Sequence, residues 1–196
     1  DRLGLALMVA LWLSLTALEP VTADRRLFLE ALAMIAIVCV AGIATRRLLP
    51  TDRGARLIQA LIALVSLVAL AMLEGVSTNP FGIPDLLTNA LRWTVESTAP
   101  MPPNVAVRMV AVTAVTLLAL LADQLTVSLG NPGGALLPLG MPYLIAAFAL
   151  PSLVTFWPVL WLATGYVLVL LADAANRSRV LRFQAVGGSH WGMLLG

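Results

Sequence analysis

Few residues in this chain could perform nucleophilic catalysis, and they stand far apart in the sequence. Cys39 is the single cysteine and His190 the single histidine. A cysteine or serine nucleophile needs a base within hydrogen-bond reach, about 3 Å. Cys39 stands in the middle of a long apolar run, whereas His190 follows two glycines and a serine in a predicted loop. We therefore predict that the chain has no catalytic residue and that Cys39 serves packing.

The chain also has few residues that could bind a metal ion or a cofactor. One cysteine cannot form an intrachain disulfide or a cysteine metal cluster. One histidine cannot supply a pair of haem ligands or a histidine-rich metal site. The formal net charge is only +2, so charge gives no reason to expect a nucleic-acid partner. The sequence predicts no metal, no cofactor and no nucleic acid.

Two aspartates remain as candidate functional groups, because each closes a long apolar run. The sequence Leu-Leu-Ala-Asp occurs twice, ending at Asp123 and at Asp173. An ionised carboxylate in that position is costly unless a cation lies nearby. A proton relay would need carboxylates at depth, and only Glu30 lies even one turn inside a predicted helix end. We therefore favour structural ion pairs, with candidate arginine partners in the neighbouring loops: Arg46, Arg47, Arg177 and Arg179, with Arg53 and Arg56 also available.

Long apolar runs are the elements that position these residues. The chain is 60% hydrophobic and 11% charged, against roughly 25% charged residues in an ordinary soluble domain. A soluble protein with six buried helices would need more polar residues to cover it. Each run approaches the roughly 20 residues that cross a bilayer core as a helix. The sequence predicts an all-α, polytopic integral membrane helical bundle with six transmembrane helices near residues 3–18, 27–45, 57–73, 105–122, 135–150 and 156–172.

The first apolar run is interpreted as a span, although it resembles a signal peptide. No clean small-residue cleavage site follows it, and five more runs come after it. Residues 187–196 are expected to begin a further membrane segment or a linker, which leaves residues 1–186 as the transmembrane domain. Because the chain lacks an initial methionine and ends in an apolar stretch, we expect it to be part of a longer protein.

Arginine placement predicts the orientation of the bundle. All 12 basic residues are arginine, which, with the abundant alanine and leucine, is typical of GC-rich bacterial genomes. Alternating spans put four of them on one side (Arg25, Arg26, Arg92 and Arg108) and eight on the other. Short arginine-rich loops stay in the cytoplasm. We therefore predict a multi-pass protein of the bacterial cytoplasmic (inner) membrane, in contact with membrane lipids, with its N-terminus cytoplasmic and the connection at residues 74–104 outside.

The outer connection contains a predicted helix at residues 85–97, flanked by prolines. Asp85 stands at its start as a candidate N-cap. Trp93 flanks an apolar face, as interfacial aromatic residues do. A helix of this kind lies on the membrane surface. We interpret it as an amphipathic connector, with a lid or docking surface as the alternative; its apolar face comprises Leu86, Leu87, Ala90, Leu91 and Val95.

Glycine and proline mark the second half of the chain. Residues 130–134, Gly-Asn-Pro-Gly-Gly, predict a tight turn. Four prolines punctuate the fifth span and its surroundings, and broken helices can line transport sites. The fifth span carries no charge near its centre, however, so we interpret Gly140 and Gly165 as positions where helices approach closely.

A resemblance to a known family lies in the run LLALLADQLTVSLGNPGGALLPLGMPYLIAAFALP and the run WPVLWLATGYVLVLLADAANRSR. The first span ends in aspartate and leads through a proline-glycine turn to Leu-Pro-Leu. The second ends in Leu-Leu-Ala-Asp before arginines. This part, roughly residues 113–182, resembles the N-terminal membrane domain of bacterial TgpA-type transglutaminase-like proteins, and actinobacterial members most of all. The other spans agree in number and order only.

The resemblance implies about six N-terminal helices followed by a further helix and an extracytoplasmic domain. That domain carries the cysteine–histidine–aspartate catalytic site of the family, which is absent here, so no catalytic residue can be carried over. It implies a non-catalytic membrane platform that anchors a downstream transglutaminase/protease-like domain, with a MoxR-type ATPase as a possible partner system. The alternative is an integral subunit of a larger membrane complex, or a small transporter.

Overall fold

The computed structural model describes residues 2–49, 51–76, 82–97, 100–149 and 156–188, with the side chains of the last range described as far as residue 178. Every named regular element within these ranges is helical. The α-helices are α1 (Arg2–Leu15), α2 (Arg25–Leu48), α3 (Asp52–Leu73), α4 (Ile83–Glu96), α5 (Val105–Asp123), α6 (Leu136–Ala149) and α7 (Phe156–Gly188). The predicted all-α fold is confirmed.

Four of the described helices are long and apolar enough to cross a membrane. They are α2, α3, α5 with its continuation to Ser128, and α7 over Phe156–Ser178. Two further apolar stretches, Arg2–Leu18 and Pro132–Phe148, are shorter. The structure therefore has the apolar helices that the sequence predicts, while the number of six spans stays a prediction.

Side-chain caps begin two of the helices. The Asp24 side chain accepts a hydrogen bond from the Arg26 backbone N–H at 3.0 Å and so begins α2. Asn104 accepts from the backbone N–H groups of Ala106 and Val107, at 2.9 and 3.2 Å, and so begins α5. Both caps satisfy amides that have no partner inside the helix.

The chain leaves α5 through a wider turn of helix. Residues Gln124–Ser128 form one π-helical turn directly after Asp123. Gly130 then adopts a left-handed conformation, φ +62°, which glycine takes without the strain a Cβ would cause. Asn131 caps the short 3-10 helix Pro132–Ala135 that leads into α6. The tight turn expected from the glycine-rich sequence is present.

The core lies around α1, which packs against α2, α6 and, most extensively, α7. The close approach of α1 and α7 depends on Gly165, because a Cβ there would lie 2.9 Å from the Cα of Ala10. The interpretation of Gly140 as a second such position is wrong. A Cβ on Gly140 would meet no atom of the described residues within 4 Å, so no described helix approaches that glycine closely.

On the other side of the bundle, α2 packs against α3 and α5, and α4 lies on α5. The buried residues of α3 are Ala55, Gln59 and Ala63, so only one stripe near its start is enclosed. A backbone link also joins two connections. The N–H of Ala23 donates to Met101 O at 3.2 Å, and the N–H of Met101 donates to Val21 O at 2.9 Å.

Two predicted boundaries differ from the structure. Helix α7 continues to Gly188, well beyond the predicted end at residue 172, because hydropathy marks where an apolar run stops and the following alanines and arginines still favour a helix. Helix α4 begins at Ile83, so Asp85 lies in its first turn and the N-cap position belongs to Gly82. The prediction of Asp85 as a cap is therefore wrong, although an acidic residue in a first turn still suits the helix dipole.

Candidate functional site

The first buried polar cluster is centred on Asp123, whose side chain is fully buried. Arg46 donates to both carboxylate oxygens, from Nη1 to Oδ2 at 2.6 Å and from Nη2 to Oδ1 at 3.1 Å. Gln59 adds a third donor, from Nε2 to Oδ2 at 2.8 Å. A carboxylate buried without water needs such partners. We call this cluster, with Gln124, the Asp123 network.

Gln59 connects the Asp123 network to the backbone. Its Nε2 also donates to the carbonyl oxygen of Val38 at 3.1 Å, and its Oε1 accepts from Gln124 at 3.4 Å. The amide group therefore uses donor and acceptor at once, although it is 1% exposed. A polar network with its members satisfied rigidifies a core, whereas a partly satisfied one weakens it.

The Asp123 network fits only because α2 carries glycine at position 42. A Cβ on Gly42 would lie 2.6 Å from Gln59 Nε2, and 3.0 Å from both Arg46 Nη2 and Asp123 Oδ2. Real Cβ atoms do not approach other atoms so closely, so a larger residue would displace the network. Because Gly42 has no side chain, the polar side chains of Arg46, Gln59 and Asp123 can meet between the helices.

The second cluster is centred on Arg108, whose side chain is 6% exposed. Three carboxyl groups surround its guanidinium. Asp24 Oδ2 lies 3.3 Å from Nη1, Glu30 Oε1 lies 3.4 Å from Nε, and Glu74 contacts Nη2. We call these residues the Arg108 network. Buried ion pairs are strongly destabilised when one partner is removed, so this arginine is a critical residue of the fold.

The Arg108 network is not fully hydrogen-bonded. Among the described residues, Glu30 Oε2 and Arg108 Nε are buried atoms with no hydrogen-bond partner. Three carboxyl groups also face one guanidinium, so the network carries more acidic than basic groups. The Asp123 network, by contrast, pairs one carboxylate with one guanidinium.

Both networks join the same three helices at opposite ends. Helix α2 contributes residues near its start (Asp24, Glu30) to one network and Arg46, near its end, to the other. Helix α3 contributes Gln59 to the Asp123 network, and Glu74 follows its end in the Arg108 network. Helix α5 contributes Arg108 near its start and Asp123 at its end. The unit α2–α3–α5 is thus cross-linked at both ends by buried polar contacts. The unit α1–α6–α7 is held by apolar contacts such as that of Gly165 with Ala10.

The family model for the TgpA N-terminal domain matches residues 9–196. The chain belongs to this family. The resemblance read from residues 113–182 is therefore confirmed, and the match also covers the second half of α1 and all of the later helices. Searches of the curated proteins and of the solved structures found no match.

Of the ion-pair candidates in this TgpA N-terminal domain, Arg46 and Asp123 are brought together. Asp173 instead pairs within its own helix, with Arg177 Nε 2.8 Å from Oδ2, and Arg177 is 64% exposed. Nη2 of Arg177 also donates to the carbonyl oxygen of Gly130 at 3.4 Å. Arg47 is exposed near the end of α2, and the side chain of Arg179 lies outside the described residues. Asp123 and Asp173 thus have arginine partners on different helices, Arg46 on α2 and Arg177 on α7.

The predicted interfacial helix corresponds to α4. Leu87 and Leu91 are 44% and 66% exposed, and Asp85 is exposed beside them. Trp93 is partly buried, and its indole N–H has no hydrogen-bond partner among the described residues. An exposed apolar stripe on one helix face suits contact with a membrane surface or another apolar body.

The residues considered for catalysis are not brought together by the described part of the chain. Cys39, on α2, is 0% exposed and belongs to the buried apolar core. His190 lies outside the described residues. Within the described ranges, no group of three histidine, cysteine, aspartate or glutamate side chains could hold a metal ion.

Sequence reasoning missed the Arg108 network altogether. Sequence reasoning used Arg108 only to predict the orientation and considered Glu30 only for a proton relay. One signal was available, because Arg108 falls inside a strongly apolar segment, where an ionisable residue is costly without a partner. The identities of the partners depend on which helices are neighbours, and that information is absent from local patterns.

Proposed function

We propose that this chain is a non-catalytic membrane platform that anchors and positions an extracytoplasmic transglutaminase/protease-like domain encoded downstream of it. Family membership supports this proposal, since the matched domain is the N-terminal one. The observation that carries it is the double cross-linking of α2, α3 and α5 by the Asp123 and Arg108 networks. A scaffold that holds another domain must resist deformation. The satisfied Asp123 network rigidifies one end of the helix unit, and the ion pairs of Arg108 join its three helices at the other end.

We further propose that the bundle crosses the bacterial cytoplasmic membrane six times, with its N-terminus in the cytoplasm. Four helices have the length and the apolar character of spans, and α1 and α6 would be the two shorter ones. Exposed Trp157 and Trp161 lie near the start of α7, and Trp12 near the end of α1. In the proposed topology all three face the outer side of the membrane, where tryptophan favours the interface.

The platform proposal predicts that the purified chain, in detergent or nanodiscs, shows no amine-transfer, peptidase or esterase turnover. In the longer protein, Cys39→Ser should leave activity unchanged, because the thiol is enclosed in the helix core. Turnover by the isolated chain that disappears in Cys39→Ser or His190→Ala would overturn the proposal. We expect a MoxR-type ATPase system to be a partner of the assembled protein, which co-purification would test.

A second candidate function, a small transporter or a subunit of a transport complex, is favoured by the buried Arg108 network. Ionisable residues within apolar helices commonly mark ion pathways. Liposomes that contain the purified chain separate the two candidates. A proton or ion flux lost in Glu30→Gln would favour transport, whereas liposomes no leakier than protein-free controls favour the platform.

A further inference from the structure

A cavity of about 480 Å³ lies between the end of α1 and the start of α2. This volume falls in the range of small-molecule sites. Its floor is apolar and aromatic, formed by Trp12, Phe28 and Leu32, while Glu19 and Arg25 line the same cavity. The cavity contains no member of the Asp123 or Arg108 networks among its lining residues, so neither network explains it.

The two charged side chains of the cavity are available to a ligand. Glu19 and Arg25 are both exposed. Neither side chain has an ion-pair or hydrogen-bond partner among the described residues. The neighbouring acid and base, Asp24 and Arg108, are by contrast engaged with each other. The cavity therefore offers one cation and one anion that the fold itself leaves unused.

Part of the apolar floor lies further along the helices than the charges. Leu32 follows Arg25 by seven residues of α2, which is about 10 Å at 1.5 Å per helical residue. Trp12 lies in α1, and Glu19 follows the 3-10 turn Thr16–Leu18 at its end. The indole N–H of Trp12 donates to the carbonyl oxygen of Leu32 at 3.3 Å. This hydrogen bond joins α1 to α2 and fixes the aromatic ring in the floor. A ligand would meet both charges at one end and hydrocarbon surface at the other.

We propose that this cavity binds a zwitterionic phospholipid, with the phosphate on Arg25, the ammonium group on Glu19 and the first acyl carbons against Trp12 and Phe28. The proposal rests on the membrane placement given under the proposed function, which brings this end of the bundle to the outer leaflet. Guanidinium groups bind phosphate readily. A soluble zwitterion would leave the apolar floor uncovered, and a lipid with an anionic headgroup would meet the carboxylate of Glu19 with like charge.

Lipid titrations of the purified chain test this assignment, with binding followed by native mass spectrometry. The probes are phosphatidylethanolamine, phosphatidylglycerol with the same acyl chains, and soluble phosphoethanolamine. The parent chain should prefer phosphatidylethanolamine. Glu19→Gln should lower that affinity about fivefold, the effect of one exposed ion pair, without weakening phosphatidylglycerol binding. Arg25→Gln should weaken both lipids, and the control Arg26→Gln, an exposed neighbour that does not line the cavity, should change neither.

A second pair of variants addresses the cavity itself. Ala23→Phe fills its rim and should remove the preference, whereas Leu29→Phe, on an exposed face of α2, should preserve it. Melting curves without lipid show whether Ala23→Phe still folds. If it does not, the comparison of Glu19→Gln with the control Arg26→Gln tests the proposal. Equal binding of both lipids to the parent chain, or an unchanged preference in Glu19→Gln, would overturn the proposal. So would phosphoethanolamine binding as tightly as the lipid. Cysteine labelling of the connections tests the membrane placement separately.

Discussion

Arg46 holds both carboxylate oxygens of Asp123, at 2.6 and 3.1 Å, although the two residues are 77 positions apart in the sequence. The carboxylate is fully buried, so no water replaces the arginine if it is lost. Asp173 ends the same four-residue sequence motif but pairs with exposed Arg177 on its own helix. Two identical local sequences thus have different structural roles, and this difference can be measured.

Removal of the Asp123 carboxylate should destabilise the fold far more than removal of the Asp173 carboxylate. Asp123→Ala leaves Arg46 without its partner and should lower the free energy of unfolding by about 3–5 kcal/mol. Asp173→Ala removes an i,i+4 surface pair worth about 0.3–0.5 kcal/mol. Denaturation of the detergent-solubilised chain with sodium dodecyl sulfate measures both. Equal losses in the two variants would show that the contrast between the two aspartates is wrong.

Two glycine-to-alanine substitutions should have opposite effects. Gly42→Ala places a Cβ 2.6 Å from Gln59 Nε2 and should destabilise the bundle by about 1–3 kcal/mol, as overpacking does. Gly140→Ala meets open space and should be neutral or stabilise by up to about 1 kcal/mol through helix propensity. The same denaturant titration compares them. A stabilised Gly42→Ala variant would contradict the tight fit of the Asp123 network.

The Arg108 network should depend more on its arginine than on any one carboxyl group. Arg108→Gln leaves three carboxyl groups without their cation and should cost about 3–5 kcal/mol. Glu74→Gln should cost less, because Asp24 and Glu30 remain beside the guanidinium. Arg92→Gln, in an exposed pair with Glu96, is the control and should cause no measurable change. If Arg108→Gln unfolds like the control, the network does not support the fold.

Cysteine accessibility should reveal the orientation of the bundle. In a Cys39→Ala background, cysteines at Thr88 and Ser97 should react with an impermeant maleimide added to intact cells, because the 74–104 connection is expected outside. Cysteines at Arg53 and Ser178 should react only after permeabilisation, since arginine-rich loops remain in the cytoplasm. The reverse pattern would show that arginine placement misleads for this chain.

Local sequence patterns predicted the helices well and their ends less well. The apolar runs at residues 27–45 and 105–122 lie inside α2 and α5, because a helix satisfies its backbone hydrogen bonds within the segment and so suits an apolar environment. Helix α7 extends beyond its apolar run because the alanines and arginines that follow the run also favour a helix. The cap assigned to Asp85 failed because the chain enters α4 earlier, before Pro84, a residue that suits the first helical turn.

The residues of the candidate site could be predicted only in part. That Asp123 would need an arginine could be inferred from the cost of a buried charge, but several arginines were available and sequence did not choose among them. The contribution of Gln59 and the room provided by Gly42 could not be inferred, because neither residue is unusual within its own helix. Likewise, Gly140 and Gly165 are indistinguishable in sequence, and in the described part of the chain only Gly165 closely approaches another helix.

Sequence by itself determined the helical class, the apolar segments and membership of the TgpA N-terminal domain family, because backbone hydrogen bonding and side-chain hydrophobicity act within each segment. Tertiary structure decided which charges meet. Asp24, Glu30 and Glu74 surround Arg108 only because α2, α3 and α5 are neighbours. The energy of a buried ion pair depends on the distance between atoms from different helices, and no pattern along one helix encodes that distance.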